Sequence, residues 1–324
     1  MKILAHILLL VICVLISLTL GKYGFLLSDY LEYFSGDLKE REILHTLIFE
    51  VRLPRILACV IIGAALSICG ATYQAIFVNP LVSPSILGVL SGAGFGAGLA
   101  MFFRLDAIFI QLSTFLFGFL AVVVALLIAG IYERGRGVIL LVLGGVISSS
   151  LLSSLLSVLK YAADPNDTLL SITYFLMGSL SFVPKDLIFL SLAPMSFGIL
   201  FLCFCAKFLN ALSLGEDEAK SLGIDVFKTK ICVILVATFI SALSVSIAGI
   251  IGWIGLVVPH IVRFIYEANN RAVLPYSAIF GAIFLLFCDN FSRLILGYEI
   301  PIGIVTSLFG IPVFIVILMR VKGR

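Results

Sequence analysis

Two arginines three residues apart, Arg52 and Arg55, flank Leu53-Pro54 at the head of a long apolar run. At helical spacing they share a face. Two guanidinium groups at a helix start oppose the helix dipole, and their planar forks suit carboxylates. An acidic partner is therefore expected, either within the chain, such as Glu50, or on another molecule. Farther on, Asp289 and Arg293 stand four residues apart in another apolar run, the spacing of a local ion pair or of one station in a proton relay. A third charged group is the island Leu214-Gly215-Glu216-Asp217-Glu218-Ala219-Lys220-Ser221-Leu222-Gly223. It is bounded by glycines and long enough for one or two turns of helix, a handle that another protein could grip.

The chemistry this chain lacks is equally informative. There is no Gly-x-x-x-x-Gly-Lys-Ser/Thr phosphate loop, no His-Glu-x-x-His and no Gly-x-Ser-x-Gly. His6, His45 and His260 are far apart, and Cys13, Cys59, Cys69, Cys203, Cys205, Cys232 and Cys288 all lie in apolar runs, where they read as packing residues. No catalytic residue, metal site or cofactor is expected. Apart from Asp289 the apolar runs are almost free of charge. Charge at a helix centre in lipid costs roughly 2.5–3.5 kcal/mol and marks ion pathways, so its scarcity argues against an ion-driven transporter.

These groups are positioned by a chain of 324 residues that is 62% hydrophobic and 12% charged, against about 25% charged in soluble domains. The apolar runs are long and do not alternate, which predicts an all-α polytopic membrane protein rather than a barrel. At ~20 residues per crossing the runs predict about ten spans in a single transmembrane domain over 1–324. They fall at 3–20, 56–77, 86–103, 107–131, 138–160, 187–207, 231–250, 252–266, 273–293 and 303–319. The basic loops at 133–136 and 228–230 and the basic C-terminus are expected inside, with both termini cytoplasmic. The acid-rich segment 21–50 forms the long outer loop, and 168–183 reads as a short helix on the outer surface.

Two patterns of small residues remain. Gly88, Gly92, Gly94, Gly96 and Gly98 follow no strand and precede no ribose-binding acid, so they read as close helix packing, not as a nucleotide loop. The fifth run carries Gly144-Gly145 and then Ser148, Ser149, Ser150, Ser153, Ser154 and Ser157. This polar stripe suits either helix packing or the wall of an aqueous path.

In order and spacing these features resemble the permease subunits of the iron–siderophore, haem and cobalamin ATP-binding-cassette importers. The resemblance runs through Arg52-Leu53-Pro54-Arg55, Asn79-Pro80-Leu81-Val82-Ser83-Pro84, Leu143-Gly144-Gly145, Met177-Gly178-Ser179-Leu180 and Gly215-Glu216-x-x-Ala219-x-x-Leu222-Gly223. It continues through Gly252-Trp253-Ile254-Gly255-Leu256-Val257-Val258-Pro259-His260, Asp289 with Arg293, and Glu299-Ile300-Pro301-Ile302-Gly303. It implies a ten-helix subunit of the bacterial inner membrane, paired with an identical or related permease, two cytoplasmic ATPases and a periplasmic substrate-binding protein. It implies docking of the binding protein on Arg52, Arg55 and Arg293, and ATPase coupling through 211–227 with Gly215, Glu216, Ala219, Leu222 and Gly223. The fifth helices would line the path with Ser149, Ser150, Ser153 and Ser157, and 168–183 would lie beside the outer gate. The implied cargo is an iron(III) chelate, a siderophore complex or ferric citrate, moved by alternating access. Haem or cobalamin is the alternative within the resemblance. An ion-driven carrier or a non-transporting scaffold lies outside it.

Overall fold

A computed structural model of the chain describes residues 2–21, 41–133, 138–181, 183–266 and 268–322. Most of the outer loop and the basic loop at 134–136 lie outside the described residues. The described residues contain helices and turns and no strand, as expected for backbone that must satisfy its own hydrogen bonds in lipid.

In chain order the α-helices are α1 (Lys2–Thr19), α2 (Arg41–Thr46), α3 (Leu53–Ile76), α4 (Val89–Phe102), α5 (Ala107–Glu133), α6 (Val138–Ala162) and α7 (Thr168–Leu176). There follow α8 (Lys185–Phe204), α9 (Ala206–Leu212), α10 (Glu216–Ser221), α11 (Val226–Ala248), α12 (Ile254–Tyr266), α13 (Asn270–Leu294) and α14 (Ile302–Lys322). Among the described residues, six continuous helical segments are long and apolar enough to cross a membrane: 42–76, 107–130, 139–162, 185–204, 226–248 and 270–294. Shorter apolar helices, at 3–19, 89–102, 254–266 and 302–317, occupy the four remaining positions where the sequence predicts spans.

Three local expectations change. The helix leading into α3 begins at Arg41, well ahead of the span predicted at 56–77. A π-helical turn, Leu47–Arg52, joins α2 to α3, and the Leu53 N–H donates to Ile48 O. The wide turn sits just ahead of Pro54, whose ring removes an amide donor and crowds the preceding turn. Pro54 therefore lies within a continuous helix instead of opening one. Second, the segment 211–227 holds the end of α9 at Leu212, the one-and-a-half-turn α10 and the first residues of α11, which begins at Val226. Third, α12 has 13 residues, about 20 Å of helix, short of a hydrocarbon core of ~30 Å. Its Arg263 is half-buried. It turns into α3, donating to Gln74 Oε1 and, at 3.2 Å, to Ala71 O.

The core is built around α3, which packs against α8, α11, α12 and α13. In the 42–76 segment 89% of the most apolar window is buried, against 22% in α6, so α3 is the axis and α6 a face. Helix α3 crosses α13 closely: a Cβ on Gly63 would lie 2.4 Å from Gly281 O, and one on Gly281 2.3 Å from Gly63 O. Backbones approach this closely where a glycine leaves no Cβ in the way. The glycine run in α4 works in the same way. A Cβ on Gly92 or Gly96 would lie 2.3 Å from a carbonyl of α5, that of Phe117 or Ser113.

Candidate functional site

At one end of the bundle the three predicted docking arginines converge. The Arg55 Nε donates to Asp289 Oδ1 at 2.9 Å, and its NH1 donates to Glu299 Oε1 at 3.0 Å. The Arg293 Nε lies 3.0 Å from Asp289 Oδ2, as an ion pair rather than an aligned hydrogen bond. Asp289 is fully buried between the two guanidinium groups. The Asp289–Arg293 spacing thus makes a local pair and recruits Arg55 from a second helix.

Arg52 has a different job. Its NH1 donates to Leu18 O at 2.6 Å, at the carbonyl end of α1, where backbone acceptors lack helical partners and the dipole favours cations. Arg293 reaches the same end, with NH1 3.5 Å from Leu20 O and NH2 3.4 Å from Ser17 Oγ. Arg52 is 3% exposed, Arg293 8%, and the Arg55 side chain 11%. All three guanidinium groups are engaged within the chain. They clasp α1, α3 and α13 together.

Glu299 closes the cluster from the loop between α13 and α14. Its carboxylate accepts from Ser181 Oγ and from Arg55. Burial works to raise its pKa, but the Ser181 hydrogen bond and the Arg55 charge outweigh it and hold the carboxyl below the ordinary glutamate value. Glu299 is also the most accessible acid of the cluster, with 31% of its side chain exposed. The neighbouring backbone ties three segments together: Ser179 N–H donates to Ala248 O at 2.8 Å, and Ile302 N–H to Gly178 O at 3.0 Å. The expected acidic partner for Arg55 is therefore internal, but it is Asp289 and Glu299. Glu50 instead pairs with Lys185.

Helix α11, 23 residues or about 34 Å long, runs from this cluster to the opposite end, where the charged island lies. Gly215 takes φ +132°, a conformation that favours glycine. Glu216 opens α10, Ala219 is fully buried and Leu222 is 64% exposed. Gly223 closes the island at φ +78°. Glu216 Oε1 accepts from Lys230 Nζ of α11 at 2.5 Å. Asp217 is held below its ordinary pKa by its hydrogen bond to Lys220.

The serines of α6 divide between two faces. Ser148 is buried and donates to Ala121 O of α5 at 2.8 Å, a packing role. Ser149 is half-buried, while Ser150, Ser153 and Ser157 are exposed. Ser153 Oγ donates to Ser91 Oγ of α4 at 3.1 Å. Leu143, Val146, Ile147, Leu151 and Leu155 share the exposure, and no charged residue occurs in α6 before Lys160. A separate cavity of about 750 Å³ lies between α5, α7 and the end of α11, lined mainly by apolar side chains with Gln111, Ser171 and Ser179.

Glu299 and Lys230 were not assigned roles by sequence reasoning. Glu299 was visible only as part of a motif, and Lys230 only as part of a basic loop. All seven cysteines are free thiols, and the described residues contain no cluster of metal-ligating side chains.

The described residues form an all-helical bundle with several membrane-length apolar helices, an uncharged serine face and a glycine-bounded charged segment, the architecture of a multi-pass membrane protein. The chain belongs to the FecCD transport family, which matches residues 9–320. It is 38% identical over 318 residues to the molybdate import system permease protein of Haemophilus influenzae, covering 97% of this chain and 94% of that one. It is 36% identical to a probable iron chelatin transport system permease protein of Helicobacter pylori (88% and 86% covered). It is also 36% identical to the vitamin B12 import system permease protein of Citrobacter koseri (84% and 83%). Among solved structures, one described as an inward-facing conformation of a "metal-chelate type ABC transporter" superposes with a TM-score of 0.90 at 36% identity, covering 98% of this chain and 99% of that chain. The chain is thus a permease of the ABC importer class, whose members work with ATPase subunits and a substrate-binding protein.

Proposed function

We propose that this permease carries an iron(III) chelate, a siderophore complex or ferric citrate, across the bacterial inner membrane by alternating access. The observation that carries the reading is the exposed face of α6, made of serine hydroxyls and aliphatic side chains with no charged group from Ile139 to Leu159. A chelated metal has its charge masked by its ligand, so it needs no fixed counter-charge on the wall. Hydroxyls offer weak, exchangeable hydrogen bonds that let a bulky cargo leave again. In this reading a second permease, identical or related, covers the same face, and Ser149, Ser150, Ser153 and Ser157 line the path between the two.

The Arg55 end faces the periplasm and receives the binding protein. Arg52, Arg55 and Arg293 already hold internal partners, so docking proceeds by exchange: a carboxylate of the binding protein replaces Glu299, the accessible acid of the cluster. The Glu216 end faces the cytoplasm. There Leu222 and the turns fixed by Gly215 and Gly223 meet the ATPase, and Ala219 anchors the handle to the bundle.

Molybdate is a second reading, favoured by the 38% identical relative. Vesicles holding the permease, its ATPase and its binding protein separate the two. Uptake of radio-labelled iron as a siderophore or citrate complex, dependent on ATP, is the expected result. ATP-dependent uptake of molybdate or cobalamin without uptake of any iron chelate would replace the proposed cargo.

A further inference from the structure

The island at 214–223 is a handle only if its motion enters the bundle. Backbone connection alone does not ensure this: Leu222, Gly223 and Asp225, which lead from α10 to α11, are exposed, and a short solvated turn can flex. One side-chain contact bridges the two helices. Lys230, in the second turn of α11, places its Nζ 2.5 Å from Glu216 Oε1, at the first residue of α10. Among the described residues this is the only ion pair between α10 and α11, and Lys230 is the only buried lysine.

Its surroundings differ from those of the other pairs nearby. Lys220–Asp217 and Lys228–Asp225 are solvated pairs within single turns, the kind that contribute little. The Lys230 side chain is 7% exposed, its partner Glu216 33%. A cavity of about 60 Å³ borders Lys230, enclosed by Leu126 and Gly130 of α5, Leu141 of α6, and Phe227 and Ile234 of α11. The ammonium thus reaches out to the handle from the junction of three long helices, one of which carries the serine face. Removing one partner of a largely buried pair leaves an uncompensated charge and is costly, and the cavity borders the aliphatic stem of Lys230.

We propose that Lys230 is the positioning residue that transmits displacement of α10 to α11 and α6, through its ion pair with Glu216. The inference rests on the reading of the chain as an ATP-driven importer. If α10 moves, Glu216 pulls Lys230, and the junction of α5, α6 and α11 follows. Without the pair, the buried Ala219 and the connecting turn tie α10 to the bundle, and no charged contact carries its motion to Lys230.

The test uses the complete complex of permease, ATPase and binding protein in vesicles, and reads cargo taken up per ATP hydrolysed. Lys230→Met keeps the buried stem and removes the charge. It leaves Glu216 accessible enough to be hydrated, so the complex assembles. The expected result is a ratio lowered about tenfold, the order by which a coupling residue acts, with ATP hydrolysis continuing. Lys230→Arg and the reciprocal exchange Glu216→Lys with Lys230→Glu retain most of the wild-type ratio. An assembled Lys230→Met complex with the wild-type ratio would overturn the proposal. So would an exchanged pair that assembles but stays uncoupled. Absence of ATP-driven uptake in the wild-type complex would instead remove the importer reading itself, so the two failures are told apart.

Discussion

Asp289 is the residue on which the Arg55 end depends. It is fully buried and faces both Arg55 and Arg293. A buried pair robbed of one partner leaves uncompensated charge, at a cost of about 3–5 kcal/mol. Asp289→Asn, nearly isosteric, is therefore expected to lower the unfolding free energy of the purified permease in detergent by about 3–5 kcal/mol, as read by denaturant titration. A change within about 0.5 kcal/mol, the range of an ordinary surface substitution, would mean that the cluster does not hold the helices together. The sequence exposed half of this arrangement. The four-residue step from Asp289 to Arg293 announces a pair on one helix. The third and fourth members could not be read, because Arg55 finds Asp289 at a separation of 234 residues and Glu299 at 244. Nothing in local spacing encodes such a meeting. Lys230 and Glu216, 14 residues apart across a turn, were hidden for the same reason.

Among the elements, the long apolar runs gave α5, α6, α8, α11 and α13 with boundaries displaced by only a few residues. Hydrophobic length is the dominant signal in lipid. It fails where the helix is not purely apolar. The 41–52 segment mixes Arg41, Glu42, His45 and Glu50 with its aliphatic residues, so its continuity with α3 through a π turn was invisible. Pro54 looked like a start signal when it marks a wide turn. In the glycine run read as close packing, Gly92 and Gly96 do meet the backbone of α5, while Gly88 turns the chain at φ +89°; Gly63 and Gly281 were not singled out. Gly63 and Gly281 lie on helices far apart in sequence and meet back to back. Gly63→Ala places a methyl carbon 2.4 Å from Gly281 O, so α3 and α13 must separate. The expected cost is about 1–3 kcal/mol, the usual penalty of overpacking, measured as above. Gly130→Ala serves as the control, since a Cβ there meets nothing within 4 Å. Equal stability of the two variants would show that the crossing is not tight.

The whole molecule has two worked ends and a face between them. At one end three arginines, two acids and the carbonyl end of α1 form a closed clasp with a single accessible acid, Glu299. At the other the glycine-bounded segment 214–223 is tied by the Glu216–Lys230 ion pair to α11. Helix α11 connects them: its first turns hold Lys230, and Ala248 O at its far end accepts from Ser179 N–H beside the clasp. The fold class and the permease class were legible from composition and motif order, because long apolar runs leave only helices as spans and the motifs recur in one order along the chain. The cargo was not, since relatives matched at 36–38% identity are named for molybdate, iron chelatin and vitamin B12. The central claim is that this chain conducts but does not drive. Reconstituted into vesicles with its binding protein and cargo, the permease alone is expected to accumulate nothing, with or without ATP and with or without an imposed ion gradient. Adding the ATPase subunits and ATP is expected to start concentrative uptake. Accumulation by the permease alone under an ion gradient would contradict the account.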